Sequence, residues 1–157
     1  MAKKFEKMTS LTQEQIKEIA EMLDCGFRCY FNRQTAQLLT LPDFNNNSYA
    51  DEELYADAIE ELETNFADYI EIERPQPHDN FNLMANFTDR LNDKNELKKR
   101  LTSALNKKKP FREFKFVIDN SGTYRQQWFD FKNAQLGQWV SERFDEAICY
   151  ERMNGST

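Results

Sequence analysis

Phe27-Arg28-Cys29-Tyr30-Phe31, Asn32-Arg33-Gln34-Thr35 and Ala36-Gln37-Leu38-Leu39-Thr40-Leu41 follow one another in the chain, and this stretch decides the fold class. The first and last runs are rich in aromatic and aliphatic residues, and a polar link separates them. That pattern predicts a β-hairpin closed by a loop of four or five residues. Further on, Tyr69-Ile70-Glu71-Ile72-Glu73 alternates apolar and polar side chains, as a half-buried strand does. It can complete a three-stranded antiparallel sheet with the hairpin, and Pro75-Gln76-Pro77 ends it.

Working outward from the sheet, the remaining periodicities are helical. Thr12 and Gln15 are spaced as a capping box, with Leu11 and Ile16 as a hydrophobic staple. Ile16, Ile19, Ala20 and Leu23 form one stripe, and Gly26 stands where a helix stop is wanted. Leu54, Ala58, Leu62 and Phe66 predict a helix from about residues 48–50 to Phe66, with those four side chains inward. Phe81, Met84, Phe87 and Leu91 share a face, as do Leu97, Leu101, Ala104 and Leu105. Pro110 is placed to open a helix whose Phe111, Phe114, Val117 and Ile118 face the core. A long helix then carries Tyr124, Trp128, Phe131, Gln135, Trp139, Val140, Phe144 and Ile148 on or near one side, with its rings expected inside; a docking surface is the alternative reading of this helix. The expected fold is a helix-rich α+β single domain over residues 9–150. Residues 1–8 and 151–157 are read as tails.

The composition agrees with a folded chain of 157 residues, 13% of them aromatic and only four each Gly and Pro. Chains poor in aromatics stay disordered; this one is not poor in them. A net charge of −6 argues against general affinity for nucleic acid or anionic membranes. No run approaches the roughly 18 apolar residues that span a bilayer, and no apolar stretch follows the basic start, so no signal peptide is expected. Three cysteines, Cys25, Cys29 and Cys149, do not make a disulfide framework. They read as small buried apolar side chains in a reducing, cytoplasmic protein.

Charge is segregated along the chain. Residues 50–73 hold ten acidic side chains and no basic one, whereas residues 94–115 hold nine basic against two acidic, a local balance of +7. The basic stretch includes Lys107-Lys108-Lys109-Pro110-Phe111-Arg112-Glu113-Phe114-Lys115, with Tyr124 and Arg125 beyond it. Cations on phosphates with rings on bases is one chemistry such a segment can perform. A solvated or acid-paired face around buried Phe111 and Phe114 is the plainer reading.

Other constellations are weaker. Asp43, Asn45, Asn47, Tyr49 and Asp51 match alternate positions of a calcium loop, but Ser48 replaces its glycine and Leu54 its bidentate Glu. A turn rich in Asx hydrogen bonds accounts for them as well. Cys25 and Cys29 would need Cys149 and His78, the one histidine, to complete a zinc site. His78 stands just ahead of an expected helix start. No catalytic pair is singled out, and no cofactor is expected.

Three segments, 12–30 (TQEQIKEIAEMLDCGFRCY), 68–81 (DYIEIERPQPHDNF) and 108–128 (KKPFREFKFVIDNSGTYRQQW), resemble a bacterial group known as uncharacterised protein family 0158. The likeness runs from about Leu11 to Val140, and its most specific part is the Lys-Lys-Pro-Phe-Arg-x-Phe block followed by Tyr124 and Trp128. The resemblance implies a bacterial cytoplasmic protein and carries over no catalytic residue.

The leading reading is a non-catalytic interaction or regulatory module whose acidic and basic faces meet a protein partner or a second copy, away from membranes. The alternatives are RNA or DNA association through Lys107, Lys108, Lys109, Arg112, Lys115 and Arg125, and an enzyme using carboxylates or a metal.

Overall fold

Thr12 starts helix α1 (Gln13–Asp24) as the spacing predicts: its hydroxyl accepts from the Gln15 N–H at 3.1 Å, and Gln15 Oε1 accepts from the Thr12 N–H at 2.8 Å. The helix ends where Gly26 adopts φ +93°, a left-handed conformation that costs a side-chain-free residue nothing. The Phe27 N–H then reaches back to the Met22 carbonyl and the Gly26 N–H to Leu23, which satisfies two carbonyls of the last turn. These contacts belong to a computed structural model, which describes residues 7–45 and 51–154.

The described chain falls into two compact units, residues 7–74 with 137–154, and Pro75–Leu136. In the first, β1 (Arg28–Asn32) pairs antiparallel with β2 (Leu38–Leu41) and with β3 (Tyr69–Ile72), in the order β2-β1-β3. The fold is therefore helix-rich α+β with a three-stranded antiparallel sheet. The hairpin loop spans 33–37, and the Asn32 carboxamide oxygen accepts from the Gln34 and Thr35 N–H groups, shaping the turn. Cys29, Phe31, Leu39, Leu41 and Ile72 are buried from the sheet, and Ile19, Ala20 and Leu23 from α1. The second half of α6 (Tyr124–Asn154) adds Val140, Phe144 and Ile148 to this core. Phe144 meets Phe31 edge-on, with ring centroids 5.8 Å apart. Such a pair adds about 0.5–1.5 kcal/mol beyond the area it buries. Trp139 lies half-buried and donates its indole N–H to the Glu73 carbonyl at 2.8 Å.

Two connections tie the edges of this unit. Arg74 donates to the Gly26 carbonyl and pairs with Asp43, at 2.8 and 2.7 Å. Buried Arg33 donates to the Met8 carbonyl and pairs with Glu151 in the last turns of α6, which continues to Asn154.

The acidic segment departs from its expected form. A 3-10 turn, Glu52–Tyr55, precedes α2 (Ala56–Thr64), and a second 3-10 turn, Phe66–Asp68, follows. With three residues per turn at either end, the four-residue spacing no longer keeps one face. Leu54 is 78% exposed and Phe66 74%, contrary to the inward placement their periodicity suggests. Ala58, Ile59 and Leu62 are partly buried. The start expected at residues 48–50 lies outside the described residues.

The second unit holds α3 (Pro77–Arg90), α4 (Glu96–Leu105), α5 (Pro110–Asp119) and the first part of α6. His78 lies within the first turn of α3, one residue past Pro77, and is exposed. Met84, Phe87, Leu97, Leu101, Ala104, Phe114, Val117, Ile118 and Trp128 form the core. Trp128 stands edge-on to Phe87 at 5.3 Å and to Phe114 at 4.9 Å. The Asn95 side chain caps α4 through the Leu97 N–H and donates to the Tyr124 hydroxyl, linking α4 to the start of α6.

Candidate binding surface

The corner between α4 and α5 is Asn106 followed by three lysines, and Pro110 then fixes the first residue of α5. Lys107, Lys108 and Lys109 are all exposed. Lys109 occupies the N-cap and makes no side-chain cap bond. Among the described residues no side chain at this end supplies the oxygen that Ser, Thr, Asp or Asn would give to the free N–H groups. The helix N-terminus carries a partial positive charge, so cations there are unfavourably placed. Glu113 in the first turn offsets part of this: Lys107 lies 3.8 Å and Arg112 3.2 Å from its carboxylate. Lys108, Lys109 and Lys115 have no anionic partner among the described residues.

Helical geometry sorts the rest of α5. Phe114, Val117 and Ile118 point inward and are buried. At about 100° per residue, Arg112, Lys115, Phe116 and Asp119 share the opposite face. Phe116 is 64% exposed. Phe111, expected in the core with Phe114, lies at the margin of the inward face and is 45% exposed. The plainer reading of this segment therefore holds for Phe114 and fails for Phe111. Phe116 was not singled out by sequence; its place opposite Phe114, Val117 and Ile118 on a helical wheel was the available signal.

Arg125 connects to this face through Asp119, whose carboxylate lies 3.3 Å from its Nε. Its guanidinium also covers the Phe129 ring at 4.7 Å, and Lys132 approaches the same ring at 5.2 Å. Lys107, Lys108, Lys109, Arg112 and Lys115 thus share one corner and one helix face, and Arg125 extends them into α6. On this surface the cations stand among the exposed Phe111 and Phe116 and beside the half-buried Phe129.

The acidic counterpart lies in the first unit. Glu52, Glu53, Glu60 and Glu63, with Ala56 and Ile59, line an open hollow of about 330 Å³. The calcium-like loop is only partly described, since Asn47, Ser48 and Tyr49 fall outside the described residues. At its ends, Asp43 is paired with Arg74, and Asp51 accepts from the Glu53 N–H at 3.0 Å. Cys29 is fully buried, and burial pushes its thiol up to about 12. Cys25 and Cys149 are exposed, contrary to the expectation that all three are buried, and all three are free. Among the described residues no three His, Cys, Asp or Glu stand close enough to hold a metal ion.

These features define a helix-rich α+β protein whose most distinctive surface is basic and aromatic, on a helix and not in a cleft. The chain belongs to the uncharacterised protein family UPF0158, whose model matches residues 7–148. No curated protein and no solved structure matches it. Among the described residues no helix is long and apolar enough to cross a membrane.

Proposed function

We propose that the protein is a non-catalytic interaction or regulatory module, working through its segregated charged faces in the cytoplasm. One observation carries this reading: Phe111 and Phe116 stand exposed among Lys107, Lys108, Lys109, Arg112 and Lys115. Exposed rings in a contiguous charged surface favour contact with another molecule, because their burial on binding supplies the non-directional part of the affinity. The cations supply encounter rate and choice of partner. The three free thiols support a reducing compartment.

The same reading takes residues 9–150 as one domain. Helix α6 runs from Tyr124 to Asn154 and supplies Trp128 to one core and Phe144 to the other, which supports reading the chain as one domain. A single calorimetric transition is expected, and two separated ones would count against this.

Affinity purification of the full chain from its host, beside a Lys108→Glu/Arg112→Glu/Lys115→Glu variant, tests the function. Material retained by the wild type and lost by the variant supports it. Equal recovery by both removes the basic face from the account.

A further inference from the structure

We infer that the α5 face takes a single strand of nucleic acid, with a phosphate at the α5 N-terminus and bases on Phe116 and Phe111. This rests on the interaction-module reading and names the partner. The first support is electrostatic. A helix N-terminus already favours anions, and here its cap residue is Lys109, with no side-chain cap bond and with Lys107, Lys108 and Arg112 beside it. Among the described residues Glu113 is the carboxylate paired with them, at 3.8 Å from Lys107 and 3.2 Å from Arg112, and Asp119 lies further along the same helix. An anion at that position would neutralise the lysines and accept from the free N–H groups at once.

The second support is the pair of rings. A free phosphate or an acidic peptide would account for the cations but leaves Phe116, at 64% exposure in the middle of the outward face, without a role. A single strand presents both chemistries at repeating intervals: phosphates for the cations and flat apolar bases for the rings. A duplex hides its base faces in the stack, so the unpaired strand is the better match for exposed rings. The strand's further path runs past Arg125 and Lys132, which flank Phe129 at 4.7 and 5.2 Å. The −6 net charge belongs to the whole chain, whereas the corner and outward face of α5 carry Lys107, Lys108, Lys109, Arg112 and Lys115 against Glu113 and Asp119. Screening over about 8–10 Å leaves that local excess facing a bound phosphate.

Fluorescence anisotropy of the full chain with a labelled 12-nucleotide uridine strand tests the inference. An abasic strand of equal charge and a 12-base-pair RNA duplex serve as comparisons. The base-bearing strand is expected to bind on the order of tenfold more tightly than either. Phe111→Ala/Phe116→Ala, checked for a native circular dichroism spectrum, should abolish that preference and leave the salt dependence unchanged. Lys108→Gln/Arg112→Gln should instead reduce the slope of log affinity against log salt by about 1.4, from roughly 0.7 per lost phosphate contact. Equal affinity for abasic and base-bearing strands, or no binding at 50 mM salt (~50 mM being the low end at which such contacts persist), overturns the inference. If host material is nevertheless retained through the α5 face and resists nuclease, the interaction reading survives with a protein partner. If retention ignores the α5 charges, both fall.

Discussion

Phe114 and Phe116 stand two residues apart on α5 and face opposite ways, one 2% and the other 64% exposed. Their substitutions should separate accordingly. Phe114→Ala removes a ring packed on Trp128 at 4.9 Å and should cost about 3–5 kcal/mol by chemical denaturation. Phe116→Ala should stay within about 0.5 kcal/mol of wild type. Similar losses for both would mean that Phe116 is packed.

The thiols offer an independent check. Cys25 and Cys149 are exposed and should react rapidly with a thiol reagent, while Cys29 should react only on unfolding. The Cys29 pKa is raised from 9.0 to about 12 by burial. Its stabilising contribution is therefore complete below pH 9 and is lost as pH rises towards 12. Cys29→Val should show a smaller loss of stability across that window than the wild type, measured by urea midpoints at successive pH values.

Arg74 holds two segments with one guanidinium, through Asp43 and the Gly26 carbonyl. Arg74→Ala should cost about 1–3 kcal/mol, since it removes the charged donor from a partly buried carboxylate and a donor from the Gly26 carbonyl. Arg74→Lys should recover little, because one ammonium does not reproduce the fork. Full recovery by Lys would show that charge alone matters there.

Gly26 is held at φ +93° by the termination of α1. Gly26→Ala should cost about 1–2 kcal/mol in the same assay, although an added Cβ would meet Arg74 at an ordinary 3.7 Å. An unchanged midpoint would mean that the turn relaxes.

Much of this architecture was legible because local and tertiary signals coincide. The Tyr69 run alternates and pairs with β1, and Thr12, Gln15 and Gly26 mark both ends of α1 through their own chemistry. The acidic segment was less legible, because 3-10 turns change the period at Leu54 and Phe66 without a Gly or Pro to announce it. In the candidate surface, Phe111 and Phe114 fit an inward spacing equally well until Val117 and Ile118 fix the centre of the buried face. Arg33 reads as an ordinary loop cation. Its burial depends on Glu151 and Met8, both far away in sequence.

Hydroxyl-radical footprinting of the full chain, alone and after incubation with its host extract, tests most directly whether the outward face of α5 is where the protein meets its partner. The account predicts fast oxidation of Phe111 and Phe116 in the free protein and protection of both in the extract, with Phe114 slow in each state. Phe116 oxidised equally fast in both would contradict it.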